Sequence, residues 1–282
     1  MEDIVTILVY SFWIGAICAM IYTAIDTPLR PVQNWSASWR DCFIYAFRHY
    51  WIALCVALVF LVAPSLDFFL SRFGGVGRNT LILVAVAWQL LAAGILAAIA
   101  VRIHYWAGQD VIERDHTPFE PNWRREIRAA AIGVGVLLVM LGSVVVLAVF
   151  LHLFPKSWLP IGDVLGDSVR ALAFSVLSLI RPCLSLGARR PIRAAAIGFS
   201  RRPLGFFLWI TALAVPALLV ELATQSSAQA SADALSFWGS RLALVSFQIF
   251  NYIAFEMTTL RMVQGLSFVP QERFELGFDE SL

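Results

Sequence analysis

Long apolar runs alternate with short arginine-bearing segments along almost the whole chain. A helix crosses the roughly 30 Å hydrocarbon core of a bilayer in about 20 residues. Runs at 4–25, 51–70, 81–101, 129–154 and 204–223 meet that length without difficulty. A sixth, at 242–260, carries Gln248, Asn251 and Glu256, and a seventh, near 164–187, is interrupted by Arg170 and Arg181. The runs are continuous and show no ten-residue alternation, so the pattern predicts helices and not barrel strands. The expected fold class is all-α, a polytopic transmembrane bundle of about seven spans.

The basic residues orient these spans, because cytoplasmic segments carry an excess of Lys and Arg. With the N-terminus outside, the inner segments hold Arg30, Arg40 and Arg48; Arg102, Arg114, Arg124, Arg125 and Arg128; Arg189, Arg190, Arg193, Arg201 and Arg202; and Arg261 and Arg273. The outer side holds only Arg72, Arg78, Lys156, Arg170 and Arg241, and Arg181 lies within a span. Without a span at 164–187 the arginines at 189–202 would fall outside, so the asymmetry supports seven crossings, N-out and C-in. Residues 1–263 are then one membrane domain and 264–282 a short cytoplasmic tail.

Composition agrees: 60% of the 282 residues are hydrophobic, 14% are charged, and the mean hydropathy is +0.76. Soluble domains run nearer 45–50% apolar and 25% charged. These proportions exclude a soluble enzyme, a disordered chain and a nucleic-acid binder, and make the lipid bilayer the primary partner. The acidic start at Glu2 and Asp3 does not suit a secretory signal. Twenty arginines against one lysine suit a GC-rich bacterial genome, so a multi-pass protein of the bacterial inner membrane is expected. Four cysteines match no zinc or redox spacing and read as small buried residues.

Two inner segments have the pattern of helices lying in the membrane plane. Over 34–50, Trp35, Trp39, Phe43 and Phe47 recur every four residues, with Arg40, Asp41 and Arg48 off that stripe. Over 188–203, Ile192, Ala195, Ala196 and Phe199 make the apolar side among five arginines. The string IRAAAIG occurs at 127–133 and again at 192–198. Three units of lead-in helix, outgoing span and returning span follow, at about 35–101, 122–188 and 190–262, a possible threefold repeat.

The stretch RPCLSL at 181–186, followed by GARRPIRAAAIGFSRRPLGFFLW, resembles a bacterial family of polytopic proteins that includes the membrane domain fused to some glycerophosphoryl diester phosphodiesterases. The resemblance implies an arginine and proline late in one span, then a basic segment and a new span. This sequence lacks the fused catalytic domain, so no phosphodiesterase residues carry over, and the resemblance bears on architecture.

Ionisable groups within a membrane are costly and need a partner or a purpose. Arg181 lies eight residues before Arg189, and Glu256 five before Arg261, so the two stand at similar depth and are expected to pair. Pro182 leaves the carbonyl of Ser178 without its usual donor. At 100° per residue Ser178, Arg181 and Ser185 share one face, and Gln248, Asn251 and Glu256 share another, which predicts an embedded polar seam. A second group, Asp67, Asp163, Asp167, Glu221 and Arg241, is expected at an outer polar rim. The inner loop at 102–128 contains His104, Asp110, Glu113, Asp115, His116 and Glu120, which reads as a charged connection because no metal-binding spacing appears. No phosphate loop and no nucleophile–histidine pair is present.

No catalytic residue, metal or cofactor is therefore expected, and the balance leans away from an enzyme. The first expectation is a non-catalytic membrane protein of structural, accessory or membrane-organising role, with a membrane-protein partner or homo-oligomer left open. The alternative is a carrier or permease for a small or lipid-like solute, using the seam around Arg181 and the helix interruptions at Pro64 and Pro216. A lipid-modifying membrane enzyme is the third.

Overall fold

A computed structural model describes residues 31–73, 78–109, 121–152, 174–188, 190–203, 205–207 and 234–267, with the single positions Ile21 and Ile210. Seven α-helices order these residues: α1 (Pro31–Arg48), α2 (Tyr50–Phe73), α3 (Arg78–Gln109), α4 (Trp123–His152), α5 (Ile180–Ser185), α6 (Pro191–Arg201) and α7 (Ala234–Ser267). All elements among the described residues are helical, as the apolar runs predict. Helix α3, with 32 residues, is about 48 Å long, and α7, with 34, about 51 Å. The segment Leu83–Gly108 is long and apolar enough to cross a membrane by itself, and Gln33–Arg48 with Tyr50–Val62 qualifies as a bent pair. The expected spans at 4–25 and 204–223, and much of 164–187, lie wholly or mostly outside the described residues.

Helix α7 is the axis of the assembly and packs against α1, α2, α3 and α5. Helices α3 and α4 make the most extensive pair, and its closeness depends on small residues. A Cβ at Gly133 would lie 2.6 Å from the Ala97 Cβ and 2.7 Å from the Ala93 carbonyl oxygen, so glycine sets the α3–α4 separation there. The described helices bury a hydrophobic core with a minority of polar side chains inside it, and they also expose large apolar side chains. Leu138, Val139, Val145, Val146 and Val149 are exposed along α4, and Leu83, Val84 and Leu91 along α3. Ser38, Asp41, His104, Ser178, Ser185, Glu256, Thr259 and Arg261 are buried.

Several boundaries differ from the sequence expectation. Helix α3 does not end at Val101: it continues for two further turns, with Arg102 turned outward against Glu126 at 2.7 Å. Helix α2 runs through Pro64 without a break. Helix α7 runs on to Ser267 and buries Gln264, past the position at Val263 where the sequence reading begins the tail. Cys42 and Cys183 are buried, whereas Cys55 is exposed.

Helix α1 begins with Pro31, whose fixed φ suits a first helical position. It meets α2 at an angle of 101°, with His49 at the corner. Its aromatic stripe is divided. Trp39 and Phe43 pack on Phe247 and Phe250 of α7, with ring centroids 6.1 and 4.6 Å apart, while Phe47 is 79% exposed. The face that enters the protein is the adjacent one, formed by Ser38, Asp41, Cys42 and Tyr45. Helix α6 likewise buries Ala194, Ala195, Gly198 and Phe199, while Ile192 and Ala196 face outward. The small residues at 194 and 198 allow the closer approach. The two IRAAAIG copies have matching environments: Ile127 and Ile192 are exposed, Ala129 and Ala194 buried, Gly133 and Gly198 buried.

Candidate functional site

The segment from Phe174 to Ala188 places Arg181. Its helical turn loosens at Leu179, where the Leu179 amide bonds to the Val176 carbonyl three residues back. The helix then restarts as α5 at Ile180, so Pro182 occupies a first-turn position where a missing N–H costs little. It ends in a Schellman closure: the Ala188 amide bonds to the Cys183 carbonyl and the Gly187 amide to that of Leu184, with Gly187 at φ 87°. An L side chain is strained at that φ, so glycine is required.

Arg181 reaches Glu256 of α7, with its Nη2 2.8 Å from Oε1. The other carboxylate oxygen, Oε2, lies 3.1 Å from Nε2 of His104 on α3. The far ring nitrogen, Nδ1, is 2.8 Å from the Ser185 hydroxyl of α5. Three helices thus converge on one carboxylate. The side chains of Glu256 and His104 are 0% exposed, and that of Arg181 is 19% exposed. The contacts to Glu256 are close but poorly aligned, and neither carboxylate oxygen receives a well-directed hydrogen bond. The cluster is held by charge proximity, not by a saturated hydrogen-bond network.

The exposed part of Arg181 opens into a cleft of about 200 Å³ between α3, α4 and the 174–181 segment. Its lining is apolar apart from Ser178 and Arg181; Leu96, Val136, Met140 and Phe174 are representative. The Ser178 hydroxyl donates to the Phe174 carbonyl, leaving the guanidinium as the only charge on the wall.

Of the residues expected in the seam, Arg181, Ser185 and Glu256 meet in this cluster, and Ser178 lines the cleft beside it. Gln248 and Asn251 sit on α7 above Glu256, partly exposed. Of the expected outer rim, Asp163, Asp167 and Glu221 lie outside the described residues; Asp67 falls in α2 and Arg241 in α7.

His104 is the residue that the sequence reading misplaces. It is not part of an inner loop but a buried member of α3. A signal for it existed. Gly94, Ala97, Val101, His104 and Gly108 follow helical spacing, so extending the run at 81–101 by its own period puts His104 on the buried stripe. Asp110, Glu113, Asp115, His116 and Glu120 lie outside the described residues. Among the described residues, no group of three or more His, Cys, Asp or Glu side chains is placed to hold a metal ion.

A second buried ion pair lies on α7, five residues beyond Glu256. Arg261 donates through Nη2 to Asp41 Oδ2 and through Nη1 to the Ser38 hydroxyl, at 2.9 Å, both on α1. Asp41 Oδ1 also accepts from Nε of the exposed Arg40 at 3.1 Å.

Searches against protein-family models, curated proteins and solved structures find no match to this chain.

Proposed function

We propose that this is a multi-pass membrane protein that carries a small or lipid-like solute, and that the cleft at Arg181 is where the solute engages. The observation that carries this reading is the cleft itself: a guanidinium with a buried counter-ion opens onto an otherwise apolar hollow. An arginine serving only to join helices would be expected to close dry around its partner. The exposed apolar side chains support the membrane setting, since those directed outward on α3 and α4 would be stabilised by lipid and not by water. The lengths of α2, α3, α4 and α7, from 24 to 34 residues, are compatible with several crossings. In this proposal the chain has seven spans, N-out and C-in, in a bacterial inner membrane. Helices α1 and α6 then lie along the cytoplasmic surface, and the resemblance around 181–209 is one of architecture.

The test uses the full chain in phosphatidylcholine proteoliposomes containing a trace of NBD-labelled lipid, with external dithionite bleaching the accessible label. Acceleration of bleaching beyond the outer-leaflet fraction, lost when Arg181→Gln and Glu256→Gln are combined, is the expected result. If labelled phosphatidate, phosphatidylcholine and short-chain derivatives all bleach as in protein-free vesicles, the carrier reading fails and the accessory role takes its place.

A further inference from the structure

We infer that the solute is an anionic amphiphile with a single aliphatic chain, drawn from the bilayer, whose headgroup meets Arg181 while its chain fills the apolar cleft. The inference rests on the reading of the cleft as a solute site and adds the chemical class.

The size of the hollow limits the occupant. The hollow of about 200 Å³ between α3, α4 and the 174–181 segment accommodates a length of aliphatic chain. The lining sets the polarity: Leu96, Val136, Leu137, Met140 and Phe174 offer no polar atom to a water or a sugar. A small hydrophilic solute would therefore lose its hydration without compensation.

The wall sets the charge. Glu256 does not line the cleft; it lies behind Arg181 and occupies Nη2. Arg181 lines the hollow with its side chain 19% exposed, and the planar donors of a guanidinium match the geometry of a carboxylate or phosphate. Among the described residues no second carboxylate reaches the cluster. A cationic headgroup would meet the guanidinium with no acceptor before it. A neutral headgroup would forgo the charge-assisted hydrogen bond.

The position sets the route. The cleft lies between α3 and α4, whose other faces carry exposed apolar side chains such as Leu91 and Val139, so in the membrane setting its occupant comes from lipid.

The experiment is equilibrium dialysis of radiolabelled dodecyl phosphate against the full chain in phosphatidylcholine nanodiscs, with empty nanodiscs subtracted. Saturable binding is expected, displaced by unlabelled dodecanoate but not by dodecanol, dodecyltrimethylammonium or inorganic phosphate at equal concentration. Combining Arg181→Gln with Glu256→Gln, so that no carboxylate is left buried alone, should weaken binding about tenfold or more. Val136→Phe, which fills the hollow and leaves the charges in place, should do the same; Ser178→Leu replaces it if that variant is not monodisperse.

Equal displacement by dodecanol overturns the charge assignment. Equal displacement by inorganic phosphate overturns the chain. Undiminished binding in both cleft-filling variants overturns the site. Selective binding without lipid movement in the dithionite assay leaves this inference standing and removes the carrier; lipid movement without headgroup selectivity does the reverse.

Discussion

Helix α7 carries two buried ion pairs one and a half turns apart, and they are built in opposite ways. At Arg261 the charges are tied down: two directed hydrogen bonds join it to Ser38 and Asp41, and Asp41 has a second cation in Arg40. The result fixes α1 across α7. At Glu256 the charges are close but loosely aligned, the arginine is partly open, and a cleft adjoins it. Burying charge is costly wherever it occurs, and it is compensated fully when hydrogen bonds satisfy the groups. The first site has that compensation, and its charges are nearly buried. The second has less of it and faces a hollow of about 200 Å³. The difference separates a structural tether from a place where something else can bind.

The comparison can be broken by deleting each charge in turn. The largest losses should come where deletion strands a buried ion, about 3–5 kcal/mol. Arg181→Ala strands Glu256, which is 0% exposed, with His104 alone; Asp41→Ala strands Arg261 with only a serine hydroxyl. The reciprocal changes should be milder, about 1–3 kcal/mol. Arg261→Ala leaves Asp41 beside Arg40, and Glu256→Gln leaves Arg181 open to the cleft. Thermal unfolding in detergent reads all four, and equal losses within each pair would show that a stranded buried charge does not set the cost at either site.

A charge swap sharpens the point next. Arg181→Glu with Glu256→Arg should recover about 0.5–3 kcal/mol over the sum of the two single changes. A double variant no better tolerated than that sum would show that proximity alone brings the residues together.

The cleft depends on the α3–α4 crossing, which gives a third, smaller effect. Gly133→Ala should cost about 1–3 kcal/mol, because the added methyl meets backbone of α3. Gly142→Ala, on the same helix with nothing within 4 Å, should instead stabilise by about 0.5–1 kcal/mol. Matched melting curves check the opposite signs.

The smallest effect concerns pH at the α1–α2 corner. Burial, and then the neighbouring Arg48, hold the His49 imidazole below its ordinary value of about 6.5. The unfolded chain then binds the proton more readily, so the contribution of His49 is present above about pH 6.5 and is lost as pH falls below it. Replacing His49 with Gln should slightly flatten the acid side of the stability profile, read as the melting temperature between pH 5 and 8.

Much of the architecture was legible beforehand because hydrophobic runs and helical period act locally. The runs at 51–70, 81–101 and 242–260 each fall inside one described helix, as do residues 129–152 of the run at 129–154. The depth comparison that pairs Arg181 with Glu256 needs only the rise per residue, and the two side chains are in contact. The errors arose where a polar residue was taken as a boundary. Arg102 ended a hydrophobic run, but a helix ends when its backbone loses its partners, not when one outward position becomes charged. His104 was consequently placed in a loop. In α1 and α6, residue size was outweighed by fit: small residues went inward, and part of the aromatic or branched stripe stayed outside.

Sequence by itself determined that this chain is helical, that one of its runs is long and apolar enough to cross a membrane, and that Arg181 and Glu256 stand at matching heights on their helices. Composition, period and rise per residue decide these things without knowledge of neighbours. Only the tertiary structure decided that His104 joins them, that the Arg261 pair closes while the Arg181 pair stays open, and that the opening is an apolar cleft. Those features depend on which faces of α3, α4, α5 and α7 meet and how closely, and long-range packing of small residues such as Gly133 sets both.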